Sequence, residues 1–141
     1  MIKLIVLLKR RSDLTHEQFL KYWREVHAPL ALKLFTAQRK YVQNYCVSSP
    51  LGEPDFDGVA EVWVDDIESV TAFASSEEGR KLNEDEKNFL DHSQMVVLFV
   101  EEKTMKGTSE QMYLEKAIKK GFTIIRNTVK KAHEPPSFFR R

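Results

Sequence analysis

The sequence predicts an α+β domain whose elements follow one another as β-α-β-β-α-β. Two segments rich in Ile, Val and Leu, at 2–9 and 94–101, predict the first and last strands. Two regions with apolar residues at helical spacing begin near Thr15 and Asp65 and predict the helices. Two shorter strand-like segments lie between these helical regions. This order is the split β-α-β arrangement of the ferredoxin-like fold, with an antiparallel sheet.

The first helix has the clearest boundary signals. Thr15 and Gln18 form a capping box, in which each side chain can bond to the backbone N–H of the other residue. Pro29 lacks an N–H and clashes with the preceding turn, so we expect the helix to kink or restart there. The apolar face of the helix is formed by Phe19, Tyr22, Trp23, Val26 and Leu30.

The central strands and the second helical region follow from shorter patterns. In the second strand, Tyr41, Gln43 and Tyr45 share one face. Asp65 and Glu68 resemble a second capping box. The predicted elements are, in chain order, a strand over 41–47, a loop over 48–55, a third strand over 59–64 and helical turns over 65–90.

The chain of 141 residues is long enough for one domain with a sizeable core, which we place at 1–104. We treat 105–141 as a C-terminal extension, with a helix predicted over 109–120. Residues 1–102 hold 12 basic and 18 acidic residues, whereas residues 103–141 hold 10 basic and 3 acidic residues. A basic tail could bind anions, nucleic acid or the acidic domain itself. We favour the last interpretation and predict no nucleic-acid partner.

The sequence favours a cytoplasmic protein. No apolar segment approaches the roughly 20 residues that a membrane-spanning helix needs. The N-terminal apolar segment ends at Lys9, which is too early for a secretory signal. Cys46 is the single cysteine, so an internal disulfide is excluded. We therefore expect no membrane partner.

The first and last predicted strands are apolar on both faces. In the first strand, Leu4 and Val6 point one way while Ile5 points the other, and 95–100 shows the same pattern. A sheet with helices on one face normally alternates apolar and polar residues. Leaving the second face in water forgoes roughly 1.5–3 kcal/mol per side chain. We expect a homodimer in which a second copy of the sheet covers this face, with folding-back of 109–129 as the alternative.

Two histidines are candidates for acid–base chemistry. His27 lies four residues after Trp23 on the inward face of the helix, just before Pro29. Because histidine exchanges protons near neutral pH, His27 is a candidate general acid or base, and a core histidine bonded to a carbonyl is the alternative. His92 and Asp91 are further catalytic candidates at the start of the last strand. Asp91 either orients His92 or caps the preceding helix.

Aromatic side chains and one carboxylate are candidates for the wall of a ligand pocket. Small-molecule sites are mostly apolar with few polar groups, so aromatic rings could hold a flat hydrophobic ligand. Ordinary core packing is the alternative for these rings. Glu61 shares a strand face with Trp63 and is either a protonated or paired pocket acid or an edge residue. The candidate substrate-binding residues are Tyr22, Trp23, Tyr41, Tyr45, Glu61 and Trp63.

The sequence lacks the motifs that bind common cofactors. It has no glycine-rich phosphate loop and no Gly-x-Ser-x-Gly nucleophile motif. No group of His, Cys, Asp and Glu has the spacing of a metal site. If the chain is an enzyme, we therefore expect it to need no cofactor and no metal.

The segment 19–30, FLKYWREVHAPL, resembles the F-x-x-Y-W-x-x-x-H-A-P-L signature of EthD-domain proteins. The segment 57–63, DGVAEVW, resembles that family's third strand, and the likeness extends over about residues 1–104. The resemblance implies a dimeric α/β barrel, in which the sheets of two subunits face each other. Each subunit would then hold a cavity between its sheet and its helices. The histidine of the signature is His27.

The resemblance leaves the reaction open. Relatives in aromatic polyketide pathways act as decarboxylases or dehydratases, and similar barrels include isomerases, cyclases and cofactor-free monooxygenases. We expect a cofactor-free lyase or isomerase acting on a small aromatic or polyketide-like substrate, with His27 as general acid or base. The alternatives are a cofactor-independent monooxygenase on a phenolic substrate and a non-catalytic protein that binds a small hydrophobic ligand.

Overall fold

The computed structural model describes residues 1–107 together with Lys116, Ile118 and Lys119. Residues Met1–Glu102 form one compact unit. The helix predicted over 109–120 falls almost entirely outside the described residues, and the domain boundary at 104 stays a prediction. None of the helices in this described part of the chain combines the length and apolar character that a bilayer crossing requires.

Four antiparallel strands form a single sheet. They are β1 (Ile2–Leu8), β2 (Lys40–Tyr45), β3 (Gly58–Val64) and β4 (Val96–Val100). Their spatial order is β2-β3-β1-β4, so the first and third strands are central. In the register, Leu4 of β1 lies between Val62 of β3 and Phe99 of β4. The predicted α+β class, ferredoxin-like with an antiparallel sheet, is confirmed.

The helical elements are α1 (His16–Tyr22), α2 (Ala28–Leu34), α3 (Ile67–Ala74) and α4 (Glu77–Glu86), with a short 3-10 turn at His92–Gln94. The capping box predicted at the start of α1 is confirmed. The Thr15 hydroxyl accepts from the Gln18 N–H, and the Gln18 side chain accepts from the Thr15 N–H. The second predicted capping box is wrong by one residue, because Asp66 rather than Asp65 caps α3 by accepting from the Ser69 N–H.

Between α1 and α2 the chain forms one π-helical turn, Trp23–His27. The Ala28 N–H donates to the Trp23 carbonyl five residues back, and the backbone stays right-handed helical throughout. Pro29 follows directly and has no N–H with which to complete an α-helical bond. The interruption predicted at Pro29 is therefore a wider helical turn and not a break. Such turns are frequent at functional sites, and this one ends on His27.

The hydrophobic core lies between the sheet and the helices. Phe19, Trp23 and Phe89 are almost completely buried, and the Phe19 ring packs against both of the others. A second cluster joins Phe35, after α2, to Val62 and Val64 of β3. Because Trp23 opens the π-helical turn, the core fixes the position of the turn that carries His27. The first cluster comprises Leu8, Phe19, Trp23, Ala60, Phe89 and Leu90.

The sheet face turned away from the helices carries exposed apolar side chains near its β4 edge. Residues opposite each other in an antiparallel pair share a face, so Val96 lies beside Leu7 and Leu98 beside Ile5. We call these four residues the outer patch. Leu98 is 46% exposed and Val96 is 36% exposed. The sequence predicted that the first and last strands, β1 and β4, are apolar on both faces. In the single chain they thus leave apolar surface exposed to water.

Replacing Thr15 by alanine removes the side-chain acceptor at the start of α1. We expect the free energy of unfolding to fall by about 1 kcal/mol, the usual cost of a lost N-cap. Urea denaturation followed by circular dichroism measures this change. Thr15→Ser keeps the acceptor oxygen and is the control, with stability close to that of the original protein. Equal stability of Thr15→Ala and the original chain would contradict a stabilising cap.

Candidate functional site

A cavity of about 380 Å³ lies between the sheet and the helices. Its walls are mostly apolar and include Leu4, Val6, Ala31, Phe35, Val62 and Phe89. The polar side chains that line it are His27, Gln38, Tyr41, Arg80, Asn83 and Glu86. An apolar cavity of this size with a few polar groups is typical of a site for a small organic molecule.

His27, at the end of the π-helical turn, lines the cavity and is only 6% exposed. Its Nδ1 lies 2.9 Å from Oδ2 of Asp85, a residue of α4. An ionised carboxylate only accepts hydrogen bonds, so Nδ1 carries a proton, and in the neutral form of the ring the lone pair is on Nε2. Nε2 has no hydrogen-bonding partner among the described residues. His27 is therefore held as a proton acceptor whose unpaired nitrogen is available to a ligand.

Asp85 is itself held by its neighbours. The Tyr22 hydroxyl donates to Asp85 Oδ1 at 2.7 Å, and the Asn88 amide donates to the Tyr22 oxygen at 3.0 Å. Burial and the adjacent carboxylate raise the pKa of Tyr22, so the phenol keeps the proton that it donates. The His27 ring packs on Phe89 with a centroid distance of 4.9 Å. These contacts hold the imidazole ring and its carboxylate partner in place. His27 can therefore accept a proton with little rearrangement of the groups around it.

Three of the predicted aromatic residues form one group beside the cavity. The Trp23 Nε1–H donates to the Tyr41 oxygen at 3.1 Å, and the Tyr45 ring packs edge-on against Trp23 at 5.6 Å. Trp23 and Tyr41 line the cavity, whereas Tyr45 and Tyr22 do not. Burial raises the pKa of Tyr41, and the nearby charge of Glu86 raises it further. Tyr41 is consequently a neutral phenol at physiological pH.

The second predicted histidine belongs to a different pair. His92 Nε2 lies 2.8 Å from Oε1 of Glu86, and Glu86 lines the cavity while His92 does not. Asp91 has neither of its predicted roles. Its carboxylate accepts from the N–H and the hydroxyl of Ser93 and caps the 3-10 turn that follows it. Within the part of the chain that the structure describes, the side chain of His92 is connected to the cavity through Glu86.

Glu61 and Trp63 lie on the opposite face of the sheet from the cavity. Side chains alternate along β3, so Ala60 and Val62 line the cavity while Glu61 and Trp63 point away from it. The Lys3 ammonium bonds to Glu61 at 2.7 Å and holds the pKa of that carboxyl below its usual value. The structure does not bring these two predicted binding residues to His27.

The two carboxylates at and beside the cavity are arranged for hydrogen bonding. Asp85 and Glu86 each pair with a histidine, at 2.9 Å and 2.8 Å. Across residues 1–107 and the three further described positions, no group of three or more His, Cys, Asp or Glu side chains is placed to hold a metal ion. The arrangement that the described residues do offer is proton transfer through a buried imidazole.

Sequence reasoning missed both Asp85 and Glu86. Asp85 is 58 residues from His27 along the chain, so no local spacing connects the two. Both carboxylates lie in α4, whose sequence EEGRKLNEDE is almost entirely polar and shows no apolar stripe. The buried pair Phe89 and Leu90 directly after this helix is a hint that its C-terminal end turns toward the core.

The fold and the cavity first define a class, a ferredoxin-like α+β domain with a buried histidine at an apolar pocket. The sequence profile of the EthD domain matches residues 11–93, which is more than half of the chain. The protein therefore belongs to the EthD-domain family, as its helix signature predicted. No curated protein matches the sequence.

Solved structures of similar fold come from several organisms. An EthD family protein from Bacillus halodurans is 29% identical, with a TM-score of 0.61 over 73% of this chain and 99% of that chain. A dimeric ferredoxin-like protein from Bacteroides fragilis is 17% identical, with a TM-score of 0.54 over 72% and 95%. The hydroxynitrile lyase of Passiflora edulis is 14% identical, with a TM-score of 0.57 over 74% and 96%. The last two likenesses show a shared fold.

Asp85→Asn tests whether the carboxylate fixes the tautomer of His27. In the original protein we expect neutral His27 to carry its proton on Nδ1, because Asp85 can only accept. An asparagine amide can also donate, so the variant should populate the Nε2–H tautomer. Long-range proton–nitrogen NMR correlations of the imidazole distinguish the two forms.

The control for this experiment is Asn88→Ala. Asn88 donates to the Tyr22 hydroxyl and does not touch His27, so its loss should leave the Nδ1–H form unchanged. Identical imidazole spectra for Asp85→Asn and the original protein would contradict the assigned role of Asp85.

Proposed function

We propose that this protein is a cofactor-free lyase or isomerase that acts on a small aromatic or polyketide-like substrate, with His27 as its general acid and base. The observation that carries the proposal is the buried His27–Asp85 pair, in which His27 lines an apolar cavity and its Nε2 has no partner among the described residues. Buried polar atoms are nearly always hydrogen-bonded, and exceptions concentrate at functional sites. A ligand group that exchanges a proton would complete the site.

In this mechanism Nε2 of His27 removes a proton from the substrate and later returns it. The negative charge of Asp85 stabilises the imidazolium that forms, and the Nδ1–H bond keeps the ring in one orientation. The apolar walls exclude water and strengthen these interactions. Trp23 and Tyr41 are positioned to contact a flat ring, since both line the cavity. General acid–base catalysis of this kind contributes about a hundredfold to ten-thousandfold in rate.

Glu86 extends the proposal to a second proton-transfer group. The sequence suggested Asp91 and His92 for this role, but Glu86 is the carboxylate at the cavity and His92 is bonded behind it. A lyase or an isomerase often needs one group to take a proton and another to give one. His27 and Glu86 supply such a pair on the same cavity.

The lyase on a similar fold supports this class of reaction. The Passiflora edulis protein is a hydroxynitrile lyase, and its likeness to this chain is in fold alone. The fold is therefore compatible with a lyase, and the His27–Asp85 pair supplies the acid–base group that such a reaction requires. The experiment uses two probes of defined chemistry, one for each of two lyase reactions.

Removing the imidazole tests the catalytic role directly. The probes are benzoylacetate, whose decarboxylation gives acetophenone, and mandelonitrile, whose cleavage gives benzaldehyde and cyanide. We expect turnover of at least one probe without added cofactor and a loss of about a hundredfold or more in kcat for His27→Ala. Chromatography of the products measures both rates, and circular dichroism verifies that the variant is folded.

The control is His16→Gln, because His16 is a histidine of α1 that does not line the cavity. Its turnover should stay within a few-fold of the original rate. Recovery of every probe unchanged, despite binding, would contradict an enzyme and support a binding protein. Oxygen uptake without added flavin or metal would support the monooxygenase alternative.

We further propose that the protein is a cytoplasmic homodimer whose outer patch is covered by a second copy. Two solved structures of similar fold are dimeric ferredoxin-like proteins. The outer patch of Ile5, Leu7, Val96 and Leu98 supplies apolar surface of the kind that a two-fold interface buries. The edge strand β4 is exposed on both faces, which a lone domain would normally avoid.

Leu98→Glu tests the dimer by placing a charge in the outer patch. We expect the original protein to elute as a dimer and the variant as a monomer, because burying an unpaired carboxylate is unfavourable. Size-exclusion chromatography with light scattering measures the mass. Leu51→Glu, in a loop where the leucine is 95% exposed, is the control and should remain dimeric. A monomeric original protein at micromolar concentration would contradict the interface.

A further inference from the structure

Tyr41 lines the cavity, and two hydrogen-bond donors hold its hydroxyl oxygen. It accepts one hydrogen bond from Trp23 Nε1–H at 3.1 Å and a second from Gln43 Nε2 at 2.8 Å. A tyrosine oxygen has two acceptor sites and a single proton to donate. The direction of both bonds therefore determines what the hydroxyl can still do.

Both donors are fixed by chemistry. The indole nitrogen of Trp23 can only donate. The Gln43 amide is oriented by two other bonds, since its Nε2 also donates to the Trp23 carbonyl at 3.2 Å and its Oε1 accepts from the Tyr45 hydroxyl at 2.7 Å. The reversed amide would place two carbonyl oxygens against each other. Tyr41 therefore accepts twice, and its proton has no acceptor among the described residues.

A half-buried hydroxyl proton without a partner in the described part of the chain is available to an acceptor that enters the cavity. Tyr41 lines the cavity together with His27, so a ligand in the cavity can supply that acceptor. The chain of donors from Tyr45 through Gln43 to Tyr41 runs in one direction, and each bond polarises the next. The Tyr41 proton at its end is consequently a strengthened hydrogen-bond donor.

We propose that Tyr41 binds an oxyanion, and that the substrate is a carbonyl compound or phenol whose oxygen becomes negative when His27 removes a proton. This inference rests on the proposed function. For a carbonyl substrate, Nε2 of His27 takes the proton from the adjacent carbon, and the electron pair of that C–H bond moves to form an enolate. Tyr41 donates a hydrogen bond to the enolate oxygen and keeps its own proton. No oxidant or reductant takes part.

Trp23, Gln43 and Tyr45 are positioning residues in this arrangement. They hold the Tyr41 oxygen and leave its proton free to meet the ligand. Burial keeps Tyr41 protonated, because it raises the pKa of the phenol. A donor that stays protonated stabilises a developing negative charge without accepting a proton back.

Binding of a stable phenolate separates this role from catalysis. The probes are 4-nitrophenol, studied above the pH at which it ionises, and nitrobenzene, which has the same ring and no ionisable oxygen. We expect the original protein to bind 4-nitrophenolate more tightly than nitrobenzene. Tyr41→Phe should weaken binding of the phenolate by about tenfold to a hundredfold, the range for a hydrogen bond to a charged group. The affinity for nitrobenzene should stay within about twofold of its original value.

Two further variants act as controls. Tyr45→Phe removes the anchor of the Gln43 amide, so phenolate binding should weaken by less than in Tyr41→Phe. Phe35→Leu alters the apolar wall of the cavity and should weaken the binding of both probes by the same factor. Absorbance of the phenolate measures its binding, competition against it measures nitrobenzene, and near-ultraviolet circular dichroism verifies the fold.

The inference is overturned if Tyr41→Phe binds 4-nitrophenolate as tightly as the original protein does. It is also overturned if the original protein shows no preference for the phenolate over nitrobenzene. Neither result depends on turnover. Weaker phenolate binding in Tyr41→Phe together with unchanged activity in His27→Ala would sustain the oxyanion site and reject the catalytic role of His27. Unchanged phenolate binding in Tyr41→Phe together with lost activity in His27→Ala would reject the oxyanion site and sustain the catalytic role of His27.

Discussion

The hydrogen bond between His27 and Asp85 joins the two helical regions of the fold and determines the chemistry that the cavity can support. Without the carboxylate, the imidazole could carry its proton on either nitrogen, and its buried ring would have no fixed partner. With it, one nitrogen is committed to the protein and the other is left for a ligand. Tyr22 and Asn88 hold Asp85 from the opposite side, so the whole group has one arrangement. The site is thus prepared before a ligand enters.

The π-helical turn explains how one short segment supplies both a core anchor and a reactive group. Trp23 begins the turn and His27 ends it, and both side chains are buried. Gly58 of β3 allows the Trp23 ring to come close, since a Cβ there would lie 2.5 Å from the indole. The same tryptophan then holds the Tyr41 hydroxyl. Packing of one aromatic residue consequently sets the positions of two polar groups at the cavity.

The two faces of the sheet have separate roles. The inner face, through Leu4, Val6 and Val62, forms a wall of the cavity. The outer face combines the outer patch with the Lys3–Glu61 ion pair, which Asn44 extends by donating to Glu61. Charged groups in the middle of such a face favour one register of a facing partner over others, because a shifted partner would leave them unpaired.

The amino-acid sequence by itself determined the order of the elements, the cap at Thr15, the inward position of His27 and the EthD family. These features depend on local spacing, on turn and cap chemistry, and on a contiguous signature, all of which a linear sequence contains. It also predicted apolar residues on both faces of the edge strand. Its prediction of a perturbed helix at Pro29 was incomplete in form, because the perturbation is a π-helical turn over Trp23–His27, just before the proline.

The tertiary structure alone decided which polar groups meet. Asp85 bonds to His27, and Glu86 lines the cavity, because the fold brings α4 against the π-helical turn. His27 and Asp85 are 58 residues apart along the chain, a separation that no periodicity records. Glu61 and Trp63 are excluded from it because neighbouring residues of a strand point to opposite faces. The proton direction at Tyr41 depends on three side chains from two elements and on the Trp23 carbonyl. Hydrogen bonds between distant segments are a property of the folded chain, and they are what give this cavity its chemistry.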